Sequence, residues 1–181
     1  MTARALRLLC ALCAAALAWA CGDAQSEFSP VRISFVFDNS LHHNTVLAGA
    51  MTPHSGLFCT VSQRLAPTGV EFVFTGMDGK SEASRANARD VRRAVILGQN
   101  NGLILGYGIT IDPAVFYAYD QRCPNCRGTL TITPAAKAAC PVCRREYDLN
   151  NGGIVAKGDG GLKLTRYRAT TTGPYGALAV N

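Results

Sequence analysis

Two short cysteine motifs constrain the fold of this chain more than any other feature. They are CPNC at residues 123–126 (knuckle 1) and CPVC at residues 140–143 (knuckle 2), with 13 residues between them. Cysteines three apart on a tight turn point both sulfurs at one centre, and the proline fixes φ for that turn. Two facing knuckles offer four thiolates in a tetrahedron, which suits Zn²⁺ or a single iron ion. The predicted metal ligands are therefore Cys123, Cys126, Cys140 and Cys143.

Disulfide bonds are the alternative use of these cysteines, because an exported chain meets an oxidising compartment. A bond within one knuckle would make a redox-active dithiol, and bonds between the knuckles would staple a hairpin. Two matched CPxC units favour the metal site over staples. Nearby cations would stabilise thiolates around a metal ion, unless they are solvated hairpin charges. Five are found beside the knuckles: Arg122, Arg127, Lys137, Arg144 and Arg145.

The first 20 residues have the composition of a secretory signal peptide. Arg4 and Arg7 give a positive start, residues 8–19 form an apolar run, and the small residue Ala20 ends it. An apolar run of this length is too short to span a bilayer as a permanent helix. Removing these 20 of the 181 residues leaves 161, which is the size of one ordinary domain.

Cys21 is the predicted lipid attachment site. The segment LAWAC at residues 17–21 resembles the lipobox of bacterial lipoproteins, whose cysteine receives a diacylglycerol; cleavage without lipidation is the alternative. Residues 21–30 would then form a lipid-anchored tether that lifts the domain up to about 30 Å from the membrane. The expected location is a bacterial cell envelope, in the periplasm or at the outer membrane.

The net charge of the mature chain is small. Without the signal peptide, 16 basic side chains face 12 acidic ones, a net charge of +4. This excess does not predict nucleic-acid binding, although a basic face could meet anionic lipid headgroups or acidic glycans, or simply be solvated. The expected partners are the membrane, through the lipid, and an envelope protein or redox partner that the sequence does not identify.

The rest of the mature chain has the pattern of short strands separated by turns, without an amphipathic helix. Residues 80–93 are arginine-rich and predict an exposed insertion, and GDGG at residues 158–161 predicts a hairpin connection. The pattern therefore predicts a single all-β domain over residues 31–181, with a metal-binding tip at about residues 120–149. The predicted strands are residues 31–37, 57–62, 70–74, 94–97, 103–111, 115–119, 154–155, 162–168 and 177–180.

Other residues with metal-binding chemistry have simpler interpretations. Cys59 is predicted to be a buried small apolar residue on a strand. The histidines His42, His43 and His54 lie far from both knuckles in sequence. They are therefore predicted to be exposed loop or strand residues, and not ligands.

Residues 103–181 resemble the C-terminal part of Rieske-type domains. The strand sequence FYAYD at residues 116–120 enters knuckle 1, YD at residues 147–148 follows knuckle 2, and LTRY at residues 164–167 follows a glycine turn. The resemblance implies an antiparallel β-sandwich or barrel with a metal-bearing, two-knuckle tip. Rieske centres use two cysteines and two histidines, but here Cys126 and Cys143 stand where those histidines would be.

Three functions are compatible with these features. The first is a binding or structural module held together by zinc, the second an iron protein (mononuclear or [2Fe–2S]) that transfers electrons, and the third a thiol–disulfide protein. Arg4 and Arg7 do not form a twin-arginine pair, so the chain would be exported unfolded and filled afterwards, which favours zinc. No catalytic constellation is found, and a complete four-cysteine site leaves no open position for a substrate, so enzymatic activity is not expected beyond electron transfer.

Overall fold

The computed structural model describes residues 26–92, 94–109 and 112–181. The predicted signal peptide, Cys21 and residues 22–25 of the predicted tether lie outside these residues. None of the helices described is long and apolar enough to cross a membrane.

The described residues form short strands and two short helices, as the all-β prediction requires. The helices are α1 (Asn39–His42) and α2 (Thr45–Ala50). The strands are β1 (Phe35–Asp38), β2 (Phe58–Ala66), β3 (Gly69–Gly76), β4 (Ser81–Arg85), β5 (Gly102–Tyr107), β6 (Phe116–Asp120), β7 (Thr131–Thr133), β8 (Lys137–Ala139), β9 (Glu146–Asp148), β10 (Ile154–Lys157), β11 (Arg166–Tyr167), β12 (Ala169–Thr171) and β13 (Ala177–Val180).

The strands are arranged in three antiparallel sheets. A central six-stranded sheet has the order β11-β6-β5-β2-β3-β4, a three-stranded sheet the order β1-β13-β12, and a four-stranded sheet the order β10-β9-β8-β7. The four-stranded sheet and the two knuckles, residues 121–157, are called the ribbon below. This arrangement confirms the predicted all-β fold class with a two-knuckle tip.

The central sheet is covered on both faces, which explains the unbroken apolar run of β5. Leu103 and Leu105 point into a core shared with the three-stranded sheet, whereas Ile104 points into a second core shared with the ribbon. A strand buried on both faces is apolar throughout and shows no alternation. The second core includes Tyr119 and Tyr147, both fully buried.

Phenylalanines dominate the first core, which is called the aromatic core below. Phe35 and Phe37 of β1 contact Phe72 of β3, with ring centroids 5.2 and 5.8 Å apart, and Phe37 also contacts Phe74 at 5.1 Å. Burying one such ring stabilises the fold by about 1.5–3 kcal/mol. Cys59 of β2 is fully buried in the same core, as predicted.

The arginine-rich segment begins as a strand, so the prediction of an insertion over residues 80–93 is wrong for its first part. Strand β4 pairs with β3 along its whole length and forms the edge of the central sheet. Its polar, mostly exposed side chains suit an edge that must not pair with another chain. Glu82 of β4 accepts hydrogen bonds from the backbone N–H groups of Thr45 and Val46, at 2.7 and 3.1 Å, at the start of α2.

Only one of the histidines departs from its predicted environment. His43 and His54 are exposed, but the His42 side chain is 9% exposed and its Nε2 lies 2.8 Å from the buried carboxylate of Asp90. The ring of His42 also stacks on Phe37. The prediction of exposure is therefore wrong for His42, because α1 turns its ring against the aromatic core.

Two other predicted strands are shorter than expected. Residues 94–97 contribute a single bridge, between Ile96 and Ser34, and the strand predicted over residues 162–168 is reduced to β11. Strand β10 pairs with β9, whereas β11 pairs with β6 of a different sheet. Residues 158–161 therefore link two sheets, and their prediction as a hairpin connection is wrong.

The last part of the predicted tether packs onto the domain. The backbone N–H of Ser29 donates to the carbonyl of Arg166 at 2.8 Å, and the Arg166 guanidinium lies 5.1 Å from the centre of the Phe28 ring. Arg166 also forms an ion pair with Glu27. These contacts join residues 27–29 to the edge strand β11.

Candidate metal centre

A buried carboxylate holds the end of β6, from which the chain continues into knuckle 1. Asp120, the last residue of β6, is fully buried and accepts hydrogen bonds from the backbone N–H groups of Gln99 and Arg122, both at 2.8 Å. The hydroxyl of Tyr167 donates to the same carboxylate at 2.6 Å. Three donors satisfy the buried carboxylate, and these hydrogen bonds hold the residues between β6 and knuckle 1 in place.

Both knuckles have the same backbone hydrogen bonds. In knuckle 1, Arg127 N–H donates to the Cys123 carbonyl at 2.9 Å, and in knuckle 2, Arg144 N–H donates to the Cys140 carbonyl at 2.9 Å. A second bond closes each turn from the other side, from the N–H of the first cysteine to the carbonyl five residues later. The two knuckles therefore have the same backbone turn, which places their cysteine sulfurs in equivalent positions.

A short hairpin brings the two knuckles together. In the 13 residues between them, β7 pairs with β8, with Ile132 opposite Ala138. Strand β8 then pairs with β9, which carries Tyr147. Leu130, Ala138 and Leu149 pack with Tyr147 in the second core, so the hairpin lies on the face of the central sheet.

The four predicted ligands meet at one point. Their Sγ atoms all lie within 4.8 Å of one another. Cys123 and Cys143 have their sulfurs 3.7 Å apart, and Cys126 and Cys140 have theirs 3.3 Å apart. Sulfurs bound to one tetrahedral zinc ion at about 2.3 Å would be roughly 3.7 Å apart. All four cysteines are free of disulfide bonds, so the donor set fits a single metal ion.

The two cysteines of each knuckle differ in exposure. Cys123 and Cys140 are buried, whereas Cys126 and Cys143 are half-buried. Burial raises the pKa of Cys140 to about 12. Burial also opposes ionisation of Cys143, but hydrogen bonds from the backbone N–H and the side chain of Arg145 outweigh it and lower its pKa to about 6. Cys143 therefore ionises more readily than Cys140, and the ionised thiolate is the form that binds metal ions.

A tyrosine hydroxyl is hydrogen-bonded to an inner sulfur. The hydroxyl of Tyr147 lies 3.1 Å from Cys123 Sγ, and the Asn125 side-chain amide donates to the same hydroxyl at 2.9 Å. Burial raises the pKa of Tyr147 well above its ordinary value, so the hydroxyl keeps its proton and is available to donate a hydrogen bond when Cys123 is a thiolate. Tyr119 and Tyr167 bond elsewhere: Tyr119 donates to the Leu149 carbonyl at 3.0 Å, and Tyr167 to the Asp120 carboxylate.

The loop of residues 158–162, called the strap loop below, is tied to both knuckles. Asn125 of knuckle 1 donates to the Leu162 carbonyl and accepts from its N–H, both at 3.0 Å. Arg145, which follows knuckle 2, donates to the carbonyls of Asp159 and Gly160 at 2.9 and 3.2 Å. Asn125 was not among the residues that sequence reasoning selected, because its partner is 37 positions away.

The five predicted cations have different partners. Lys137 forms an ion pair with Asp148 at 2.7 Å, and Arg122 donates to the side chain of Gln99 at 2.7 Å. Arg145 bonds the strap loop, while the remaining two, Arg127 and Arg144, are exposed. Arg145 also hydrogen-bonds Cys143, so the predicted stabilisation of a thiolate by a nearby cation applies to this residue.

Comparisons of the chain with models of protein families, with curated proteins and with solved structures found no match. The resemblance to Rieske-type domains therefore stays a prediction from the motifs.

Proposed function

We propose that this protein is a lipoprotein of a bacterial cell envelope, in which Cys123, Cys126, Cys140 and Cys143 hold a structural zinc ion. The observation that carries the proposal is the mutual approach of the four sulfurs to within 4.8 Å. When bound, the ion supplies a cross-link between the two knuckles. The residues of the chain supply the four thiolates, the hydrogen bonds to them and the hydrophobic support beneath them.

A structural role follows from the ligand set and from the size of the ribbon. Four cysteine ligands complete the coordination of zinc and leave no position for a substrate. The ribbon strands have only three or four residues each, so strand pairing gives the ribbon few backbone hydrogen bonds. In small domains of this kind, metal binding provides the free energy that orders the loops.

The arrangement of the sulfurs favours one metal ion over a cluster. In a [2Fe–2S] centre, each pair of cysteines belongs to a different iron atom, so the two pairs are held apart. Here the four Sγ atoms all lie within 4.8 Å of one another, so neither pair of sulfurs is held apart from the other. A single iron ion would accept the same four thiolates and would make the protein an electron carrier, which is the alternative that the experiment below distinguishes.

The envelope location is supported by the amino-terminal sequence. Arg4, Arg7 and the apolar run of residues 8–19 have the features of an export signal, and Cys21 follows a small residue, as in lipoproteins. The proposed partners are the membrane, through the lipid on Cys21, and a protein of the envelope. The Rieske-like character of residues 103–181 belongs to the same proposal and is supported by the order of the motifs around the knuckles.

Metal analysis of the protein purified from its own envelope tests the proposed function. We expect one zinc per chain and no visible absorption, and Cys126→Ser should lower both the zinc content and the melting temperature. Iron–thiolate bands in the visible spectrum would instead support the electron carrier. Absence of metal together with loss of free thiols would support the thiol–disulfide function.

A matched control separates loss of the site from loss of any thiol. Cys59 is fully buried in the aromatic core and does not belong to the cysteine cluster. Cys59→Ala should lower the melting temperature through a small cavity and leave the zinc content at one per chain. Equal zinc contents in Cys126→Ser and Cys59→Ala would contradict the proposed site.

A further inference from the structure

The described chain begins beside knuckle 1. Residues 26–30 line a cavity of about 250 Å³ together with Pro124 of knuckle 1 and with Leu162 and Lys163 at the end of the strap loop. The amino-terminal segment therefore approaches the domain at its metal-binding end.

The direction of this segment follows from its contacts along the edge of the central sheet. Ser29 bonds Arg166, while Pro30 and Val31 line a second cavity with Arg168. Residues later in the segment thus lie beside Arg168, and earlier ones lie beside Arg166 and Lys163, which is nearer to the strap loop. The amino-terminal end of the segment therefore points towards the knuckles.

The number of residues limits the distance between a lipid on Cys21 and the metal-binding end. Cys21 and Ser26 are five residues apart in sequence, so their Cα atoms can be separated by at most about 18 Å. The tether expected from the sequence alone reached about 30 Å, because residues 26–30 were counted as free. A lipid at Cys21 would thus keep knuckle 1 close to the bilayer.

Apolar and basic side chains adjoin this point, all exposed except the half-buried Pro124. We call them the tip surface: Pro124, Arg127, Val142, Leu162 and Lys163. Leu162 and Val142 are 66% and 67% exposed. Pro124, Arg127 and Leu162 line one cavity, and Val142 packs against Gly128, the residue after Arg127. The tip surface is therefore continuous across both knuckles and the strap loop.

Its two cations have no acidic partner. Arg127 and Lys163 are exposed, and neither forms an ion pair within the part of the chain that the structure describes. Arg127 has a φ of +66°, a conformation that glycine adopts with less strain. Arg144, at the equivalent position of knuckle 2, has a φ of +58°, so this conformation belongs to the knuckle turn.

We propose that the tip surface lies against the headgroups of an anionic lipid bilayer, with the metal centre at the membrane-facing end of the domain. The inference rests on the lipidation of Cys21 proposed above. Leu162 and Val142 would enter the apolar boundary of the headgroup layer, and Arg127 and Lys163 would meet lipid phosphates. Apolar side chains flanked by basic ones are the composition of surfaces that bind membrane interfaces.

The end of the β2–β3 hairpin protrudes at the same end of the central sheet, as contact with a flat bilayer would require. Ser62 of β2 pairs with Gly102, the first residue of β5, and β5 pairs Leu103 with Asp120 at the end of β6. The turn between β2 and β3 therefore extends beyond β5 at the end where knuckle 1 begins. Leu65, which lies in β2 next to this turn, is 85% exposed. A bilayer is wide enough to meet both this turn and the tip surface.

Tryptophan fluorescence tests the orientation, because Trp19 is the only tryptophan of the chain and leaves with the predicted signal peptide. The full chain carrying Leu162→Trp is produced in its envelope, purified with its lipid and reconstituted into phosphatidylcholine vesicles containing phosphatidylglycerol and brominated acyl chains. We expect a blue-shifted emission that the bromine atoms quench. Leu41→Trp is the matched control, since Leu41 is 51% exposed in α1, in the layer on the opposite face of the central sheet. Its emission should not be quenched.

The charge of the tip surface has its own readout. Each cation near an anionic surface strengthens docking about fivefold. Lys163→Glu in the Leu162→Trp background changes the charge by two units. The equilibrium constant for docking of the tip surface on the bilayer should therefore fall about 25-fold, and the quenching should fall with it. High salt or vesicles without phosphatidylglycerol should weaken the quenching in the same direction.

The outcomes separate this inference from the proposed function. Intact mass reports the lipid on Cys21, and metal analysis reports the centre in each variant. A lipidated, zinc-containing chain with no quenching at position 162, or with equal quenching at positions 162 and 41, overturns the membrane contact alone. Protection at position 162 that appears only with an added envelope protein also overturns it and identifies a protein partner. A chain without lipid overturns both proposals.

Discussion

The aromatic core and the ribbon lie on opposite faces of the same central sheet and are stabilised in different ways. Strands β2 and β3, which line the aromatic core, have nine and eight residues, whereas the ribbon strands have three or four. The core buries four phenylalanine rings, while the centre of the ribbon is a cluster of four sulfurs. Apolar burial stabilises the side of the aromatic core, whereas on the other side the proposed metal ion would add to the burial in the second core.

Metal removal should have the largest effect, and this effect should be confined to the ribbon. With a chelator, we expect the amides of β7–β10 to lose hydrogen-exchange protection, because zinc contributes about 10 kcal/mol or more in small cysteine-rich domains. Amides of β2 and β3, whose side chains line the aromatic core, should keep most of theirs. Simultaneous loss of protection in both regions would show that they unfold as one unit.

Phe72→Ala should weaken the other side. Phe72 is fully buried and contacts both Phe35 and Phe37, so the cavity should lower the free energy of unfolding by about 3–5 kcal/mol. Denaturant unfolding measures this loss, and zinc content should stay at one per chain below the transition. Loss of zinc from the folded variant would contradict independent stabilisation of the two regions.

Tyr147→Phe should have a smaller effect at the metal centre. The change removes the hydrogen bond to the Cys123 sulfur and leaves the Asn125 amide without one of its acceptors. We expect a loss of about 1–2 kcal/mol in metal affinity, measured by competition with a chelating dye. Tyr107→Phe is a control, because Tyr107 lies on the central sheet outside the second core. Similar affinities of the two variants would contradict a role for the Tyr147 hydroxyl.

Glu82→Gln should have the smallest effect and depend on pH. Burial opposes ionisation of Glu82, but hydrogen bonds from Val46 and Thr45 outweigh it and lower its pKa below the unfolded value of 4.5. The ionised carboxylate therefore stabilises the fold above about pH 4.5, and this stabilisation disappears as the pH falls through the folded pKa.

The amide variant should be less stable than the unmodified protein by about 1 kcal/mol at pH 7. The difference should shrink towards pH 3, which urea unfolding at a series of pH values measures. A difference that is constant with pH would show that the charge of Glu82 does not act on α2.

Local patterns were sufficient for the parts of the molecule whose partners are close in sequence. The knuckle cysteines were identified from spacing alone, because a CPxC turn positions its own sulfurs. Strands β2, β3 and β13 were likewise indicated by runs of apolar and β-branched residues. Strand β4 was missed because its polar side chains carry no period-two signal, and α2 because six residues are too few to show a helical period.

The sequence by itself determined the all-β class, the four candidate ligands and the burial of Cys59, since these depend on residue type and short-range spacing. Only the tertiary structure decided that Asn125 and Arg145 tie the strap loop to the knuckles, that the Tyr147 hydroxyl contacts the Cys123 sulfur, and that residues 27–29 pack beside β11. The reason is physical: each of these contacts joins groups brought together by sheet pairing or by packing, and a sequence pattern records only near neighbours along the chain.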